Sequence, residues 1–258
     1  MSFPPACALG QVGLKIDGRP ILEAVSLQVG PMERVAILGP SGAGKTTLLR
    51  VLGASLAPSQ GTVQVLDKNP RQLKSNHLRD LRSQIGFVPQ DYALVPNLRV
   101  WQNVAAGRLG RTGGLSHLRR MTLPRAQELR DLHGVLEQVG MGDLLFATTS
   151  TLSGGEQQRV AIARSLYQEP ALLLADEPVA SVDPARAEQV MALLVRLADE
   201  NRLPLVVSLH DVALAKRHTD RVIGLRGGRV LFDLPSKDLA ALKCEELYAL
   251  PGQKETPR

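Results

Sequence analysis

The run Gly39-Pro40-Ser41-Gly42-Ala43-Gly44-Lys45-Thr46 matches the pattern G-x-x-x-x-G-K-[ST] at every fixed position. No other feature constrains the fold as strongly, because such a loop works only between a buried strand and a helix. The flanking residues read that way. Val35-Ala36-Ile37-Leu38 is a short apolar strand ending at Gly39, and Leu48, Leu49, Val51 and Leu52 mark an apolar helix beyond the loop. Glycines let backbone N–H groups curl around a phosphate without side-chain clashes. The helix that starts there points its positive end at the anion. Lys45 places a charge near the β- and γ-phosphates, and the Thr46 hydroxyl can ligate Mg²⁺. Residues Gly39 to Thr46, with Thr47, are the candidate nucleotide-binding residues. The alternative is a glycine-rich turn that only joins strand to helix, and the loop alone does not separate a kinase, a GTPase and a motor.

The rest of the chain reads as strands alternating with helices. Ile21 to Val29 has Ile21, Val25, Leu27 and Val29 on one parity. Gly61 to Leu66 and Ile85 to Val88 are further strands, the first closed by the turn-forming Asp67-Lys68-Asn69-Pro70. From about Asp91 to Arg164 strand signals fade. Val100 to Arg108 is helix-compatible. Pro124 to Val139 carries Ala126, Leu129, Leu132, Leu136 and Val139 at helical spacing, and Gly110-Arg111-Thr112-Gly113-Gly114 between them reads as a flexible link. Strands return at Ala171 to Ala175 and Leu205 to Leu209, with a helix between them that starts at Asp183-Pro184. Arg221 to Leu225 and Arg229 to Phe232 flank Gly227-Gly228 as a hairpin. The alternation predicts a layered α/β core with a mostly parallel sheet, an N-terminal antiparallel β region and an inserted α-helical subdomain. The expected division is one domain over 1–258, with a core lobe at 1–90, a helical insertion at 91–164 and a second core lobe at 165–258.

Composition is globular: 258 residues, 44% hydrophobic and 22% charged, with aromatics at 3%, so Leu, Val, Ile and Ala must fill the core. The formal net charge of +6 suits nucleic acid, acidic lipid or a polyphosphate ligand, or no more than a solubilising surface. Cys7 and Cys244 stand far apart, which fits neither a zinc site nor a disulfide framework and suits a reducing cytosol. Met1-Ser2-Phe3-Pro4-Pro5 is a poor secretory signal, and no run approaches the roughly 20 apolar residues a membrane span needs. If the protein works at a membrane, other chains cross it.

Leu172-Leu173-Leu174-Ala175-Asp176-Glu177 carries two acids to the end of a buried strand, the edge where ligands of open α/β sheets bind. Asp176 can hold Mg²⁺, and Glu177 can polarise an attacking water. The alternative is two solvated acids in a loop.

Leu152-Ser153-Gly154-Gly155-Glu156-Gln157-Gln158-Arg159 resembles the signature sequence of ABC ATPases. In order with it stand Gln90, which resembles the glutamine that senses Mg²⁺ and links the core to the helical insertion, Ala180-Ser181-Val182-Asp183, which resembles the D-loop, and His210, which resembles the switch histidine. The resemblance covers nearly the whole chain. It implies ATP and Mg²⁺ as ligands, with Glu177, His210 and Lys45 catalytic. It makes Thr46, Asp176 and Gln90 the metal residues, and has Ser153, Gly154, Gly155 and Asp183 contact nucleotide across a head-to-tail homodimer. The family usually has Gln where Glu156 stands here.

Four segments look like the ATP-binding subunits of phosphonate importers: Ala105 to Thr112, Ala175 to Ser181, Val206 to His210 and Ile223 to Arg226. The likeness implies two transmembrane permease subunits and a solute-binding protein as partners. It also implies a peripheral place on the cytoplasmic face of the inner membrane and no nucleic-acid partner. Importers of phosphite or related anions are close alternatives. A soluble ABC ATPase of nucleic-acid maintenance or translation is a rival without the long coiled coil or tandem cassettes usual there, and a binding-only regulatory cassette is a rival opposed by Glu177 and His210. Arg111, His117, Arg119, Arg120, Arg125 and Arg130 form a basic arm, suited to a membrane surface or a coupling helix, or only to solvent.

Members of the family usually carry an aromatic residue that stacks on adenine 29 positions before the loop lysine, where Ile16 stands here. Base–aromatic stacking contributes roughly 1–3 kcal/mol per base elsewhere. Competition binding should therefore show GTP displacing ATP more readily than an aromatic slot would allow. A strong ATP preference that collapses in Ile16→Ala would contradict this.

Overall fold

The computed structural model describes residues 4–111, 122–180 and 182–249. Nine strands form two sheets among the described residues. In chain order they are β1 (Cys7–Ile16), β2 (Arg19–Val29), β3 (Arg34–Leu38), β4 (Gln60–Val65), β5 (Ile85–Val88), β6 (Leu172–Ala175), β7 (Leu205–Leu209), β8 (Arg221–Arg226) and β9 (Arg229–Pro235). The helices are α1 (Lys45–Leu52), α2 (Ser75–Arg82), α3 (Val100–Ala105), α4 (Ala126–Gln138), α5 (Gly154–Tyr167), α6 (Pro184–Glu200), α7 (Val212–His218) and α8 (Ala241–Tyr248).

The larger sheet has the order β5-β6-β7-β3-β8-β9, parallel throughout except for β9, which returns antiparallel to β8. Its parallel strands are buried on both faces along most of their length, and residue parity assigns each side chain to a layer. Val35, Ile37, Leu172, Leu174, Val206 and Ile223 face α1 and the smaller antiparallel sheet β2-β1-β4. Ala36, Leu38, Leu173, Ala175, Leu205, Val207 and Val222 face a second cluster. That cluster runs without a break into Val100, Trp101, Val104, Leu132, Leu136 and Ile162 of the helices between β5 and β6.

Several local expectations shift. In β2 the buried row is Leu22, Val25, Leu27 and Val29, not Ile21. Ala24 takes a φ of +50°, and the pairing with β1 slips between Val12↔Val25 and Leu14↔Leu22, so a bulge reverses the parity. The helix from Val100 ends at Ala105 and continues as a 3₁₀ turn over Ala106–Arg111. Gly110 and Arg111 of the expected flexible link belong to that turn, while Thr112 to Gly114 lie outside the described residues. The sequence reading assigned nothing to β1, α2, α7 and α8.

The basic arm also changes character. Arg111 bonds the Glu169 carboxylate at 3.1 Å and its carbonyl at 2.8 Å, and Arg108 pairs with the same carboxylate. Arg108 also lies 4.1 Å over the Tyr167 ring. These arginines strap the 3₁₀ turn to the end of α5. Arg125 lends its main-chain N–H to Glu128, which closes the start of α4, and Arg130 bonds Gln127. His117, Arg119 and Arg120 lie outside the described residues.

Cys7 is fully buried, and burial pushes its thiol up to about 12, whereas Cys244 is only partly covered.

Gly107 sits where a Cβ would lie 2.2 Å from the carbonyl oxygen of Arg164, so α5 and the 3₁₀ turn meet backbone to backbone. Gly134, within α4, has open space at the same position. Gly107→Ala should therefore lower stability by about 1–3 kcal/mol. Gly134→Ala should raise it by about 0.5–1 kcal/mol. Urea unfolding of the two variants checks both signs.

Candidate functional site

The site forms at the carboxyl edge of the parallel strands, and strand register assembles it. β5 pairs Val88 with Ala175, β6 pairs Ala175 with Val207, and β3 pairs Leu38 with Leu209. One or two residues further on, Gln90, Asp176, Glu177, Ser208, His210 and Gly39 follow on neighbouring strand ends.

The loop from Gly39 to Gly44 leads into α1. Gly42 and Gly44 have φ of +78° and +102°, a region only glycine enters freely. A Cβ at Gly39 would lie 2.2 Å from the Leu225 carbonyl oxygen. Leu48 is the first N–H to bond back into the turn, to Gly44 at 2.8 Å. The N–H groups of Lys45, Thr46 and Thr47 thus have no partner one turn back and open the helix as anion donors.

Lys45 is 4% exposed although charged. Its ammonium donates to the Gly39 carbonyl at 2.8 Å and the Pro40 carbonyl at 3.2 Å, and it lies 3.2 Å from the Glu177 carboxylate. The same Glu177 oxygen is 2.7 Å from His210 Nε2. A carboxylate only accepts, so Nε2 carries the hydrogen there. The Lys45 ammonium, 3.3 Å from that nitrogen, finds no acceptor in it. Lys45, Glu177 and His210 thus converge on one point, where Glu177 stands in for an anion. Glu177 itself has φ +45°, a left-handed conformation that costs a non-glycine residue energy and aims the carboxylate at the loop.

Asp176 is 4% exposed and accepts from Thr46 Oγ1 at 3.1 Å and Ser208 Oγ at 2.8 Å. Ser208 Oγ in turn accepts the Glu177 N–H at 2.8 Å. The sequence reading gave Ser208 no role, yet a signal existed: it is the one polar residue in the fully buried strand Leu205–Leu209. Asp176 and Thr46 place hard oxygens side by side, as Mg²⁺ prefers. Among the described residues no cluster of three or more His, Cys, Asp or Glu side chains could hold a metal alone. A cation held by two protein oxygens plus phosphates and water fits that donor set. Gln90 is exposed and lines, with Glu177, His210, Asp211 and Arg217, a cleft of about 440 Å³.

Other candidates stand apart. Ser153 caps α5 in a closed box: its hydroxyl accepts the Glu156 N–H, and the Glu156 carboxylate accepts the Ser153 N–H at 2.7 Å. The Ser153 hydroxyl donates to that carboxylate at 2.7 Å, and this bond, followed by the Ser153 N–H, holds the Glu156 carboxyl below its ordinary range. A Gln there would cap without the charge. Ser153, Gly154 and Gly155 make no hydrogen bond to the Gly39–Thr46 loop, Asp176, Glu177 or His210. Asp183 caps α6 through the Arg186 N–H at 3.0 Å, and Ser181 lies outside the described residues. Ile16 ends β1, paired with Arg19 and 43% exposed.

Residues 22–180 match the model of the ABC transporter family. The phosphonates import ATP-binding protein PhnC of Anaeromyxobacter dehalogenans is 49% identical over 244 residues, covering 95% of this chain and 48% of that protein. The chain thus spans about half the length of that relative. PhnC 1 of Rhodopseudomonas palustris is 43% identical over 94% of this chain and 87% of its own. Among solved structures, cbiO1 from Clostridium perfringens, part of the complex cbiONQ, superposes with a TM-score of 0.79 at 27% identity, over 91% and 90% of the two chains. A dimeric post-hydrolysis state of the cassette MJ0796 bound to ADP and Pi gives 0.74 at 31% identity, over 90% and 100%.

The ion pair between Lys45 and Glu177 must open for a γ-phosphate to reach the ammonium. Glu177→Gln removes the competing charge and, with it, the carboxylate expected to act as base. ATP binding by calorimetry should be undiminished or tighter, while hydrolysis falls on the order of 10²–10⁴-fold. Unchanged turnover in that variant would refute the role of Glu177.

Proposed function

The chain belongs to the ABC transporter family, and from that premise we propose that it is the ATP-hydrolysing, energy-coupling subunit of a phosphonate importer. The observation that carries the ATPase reading is the meeting of Lys45, Glu177 and His210 at one point beside Asp176 and Thr46. The solute assignment leans on relatives at 43–49% identity named for phosphonate import.

In this reading the Gly39–Thr46 loop binds the phosphates through backbone N–H groups, and Lys45 shifts from Glu177 to the β- and γ-phosphate oxygens. Glu177, so released, takes a proton from the attacking water, and His210 Nε2–H donates to the γ-phosphate. Asp176 and Thr46, with Gln90, hold Mg²⁺, which when bound neutralises charge on the phosphates. Ser208 fixes Asp176 and the Glu177 main chain at a set spacing.

The signature residues Ser153, Gly154 and Gly155 serve the site of a second copy. The neighbour MJ0796, solved as a dimer, supports a pair of cassettes, which in this reading is head-to-tail with Asp183 at the seam. ATP binds the closed pair better than the open one, and that difference drives closure. Among the described residues no helix is long and apolar enough to cross a membrane. In this reading two permease subunits carry the solute, supplied by a solute-binding protein. The cassette sits peripherally on the cytoplasmic face of the inner membrane.

The test is ATPase activity of the reconstituted complex with its binding protein. A phosphonate should stimulate turnover severalfold, and phosphite or phosphate less. Stimulation by phosphite alone would replace the solute. Absence of any ATP turnover would refute the enzymatic reading.

A further inference from the structure

Helix α8 ends beside the catalytic loops although it lies far from them in sequence. Leu247 is fully buried in the apolar cluster that also holds Leu209, Leu214 and Leu239. Arg226, at the end of β8, donates to the carbonyls of Glu246 and Ala249, the latter at 2.8 Å. The main chain is thus held on both sides of Tyr248. The Tyr248 hydroxyl donates to the His210 carbonyl at 3.0 Å. One phenol therefore ties α8 to the end of β7, which carries His210.

Few other anchors hold His210. Its ring is 40% exposed, and among the described residues it hydrogen-bonds only Glu177, the partner that a γ-phosphate would replace. The preceding residue ends a strand, and Asp211 is committed to capping α7 through the N–H groups of Ala213 and Leu214. When the side-chain contact exchanges for phosphate, the main-chain bond to Tyr248 can persist, because it does not involve the ring.

We propose that Tyr248 is a positioning residue for ATP hydrolysis, its hydroxyl fixing the His210 carbonyl from helix α8. This rests on the reading of His210 given above. Burial is the main reason the phenol is pushed up to about 12, with Cys244, Asp211 and Glu177 adding to it and the Gly39 N–H opposing. The hydroxyl stays a donor at any ordinary assay pH.

Four forms of the full chain decide the matter: parent, Tyr248→Phe, His210→Ala and the double variant. Single-turnover hydrolysis is referred to the fraction that binds MgATP, well below each thermal midpoint. Tyr248→Phe should slow hydrolysis about 2–10-fold, the effect of one hydrogen bond. The KM for ATP should stay within about twofold, since the hydroxyl acts through His210 and not on bound nucleotide. In the His210→Ala background the same change should have no further effect. A Tyr248→Phe rate equal to the parent's overturns the proposal. So does an equal fractional loss in both backgrounds, or a loss confined to KM. Parental turnover in His210→Ala overturns the role of His210 itself, and this proposal with it.

Discussion

Between β6 and β7 the pairing of Ala175 with Val207 sets Asp176 level with Ser208, and the serine hydroxyl bonds both the Asp176 carboxylate and the Glu177 N–H. Everything chemical depends on that link. Asp176 is nearly excluded from water, and a buried carboxylate is costly unless donors meet it. Thr46 approaches it from the phosphate loop and Ser208 from the neighbouring strand, so two independent segments converge on one acid. Glu177 follows in a strained conformation that the Ser208 bond helps to sustain. A register slip of one residue would turn Asp176 toward the opposite layer and separate it from both hydroxyls.

The fold class was legible because its signals are periodic and local. A strand, a glycine loop and an apolar helix in succession admit few alternatives, and α/β alternation named the sheet type. What escaped has physical reasons. Parity in β2 fails at Ala24, where a left-handed residue inserts a step that no hydrophobic pattern announces. The α2 segment has only Leu78 and Leu81 facing the core, too few to announce a helical period. For the site, Lys45, Asp176, Glu177 and His210 stand out by type and context, but their mutual distances depend on strand pairing across the whole chain. Ser208 was detectable as a polar residue in an apolar strand. Tyr248 was not, because only tertiary packing carries α8 to the loops.

The run from Ala105 to Thr112 shows how a likeness can have a structural basis. Gly107 permits backbone contact with α5, and Arg108 and Arg111 share Glu169. These residues hold the helical region together from within, so Arg111 of the basic arm is engaged by its own chain. Arg164 does similar duty from α5, donating to the carbonyls of Tyr92 and Ala93 just beyond Gln90, and burial lowers its affinity for its proton. The signature helix and the segment after Gln90 are thus mechanically one piece.

The two thiols differ sharply in environment. Cys7 lies under the antiparallel sheet with its proton firmly held, so it offers almost no thiolate to an electrophile. Cys244 is partly covered and stands one helical turn before Tyr248. The native chain therefore carries, without any engineering, a single addressable sulfur on the helix that touches the catalytic loops. A small fluorophore attached there would report, as light, whether that helix stays seated while nucleotide comes and goes.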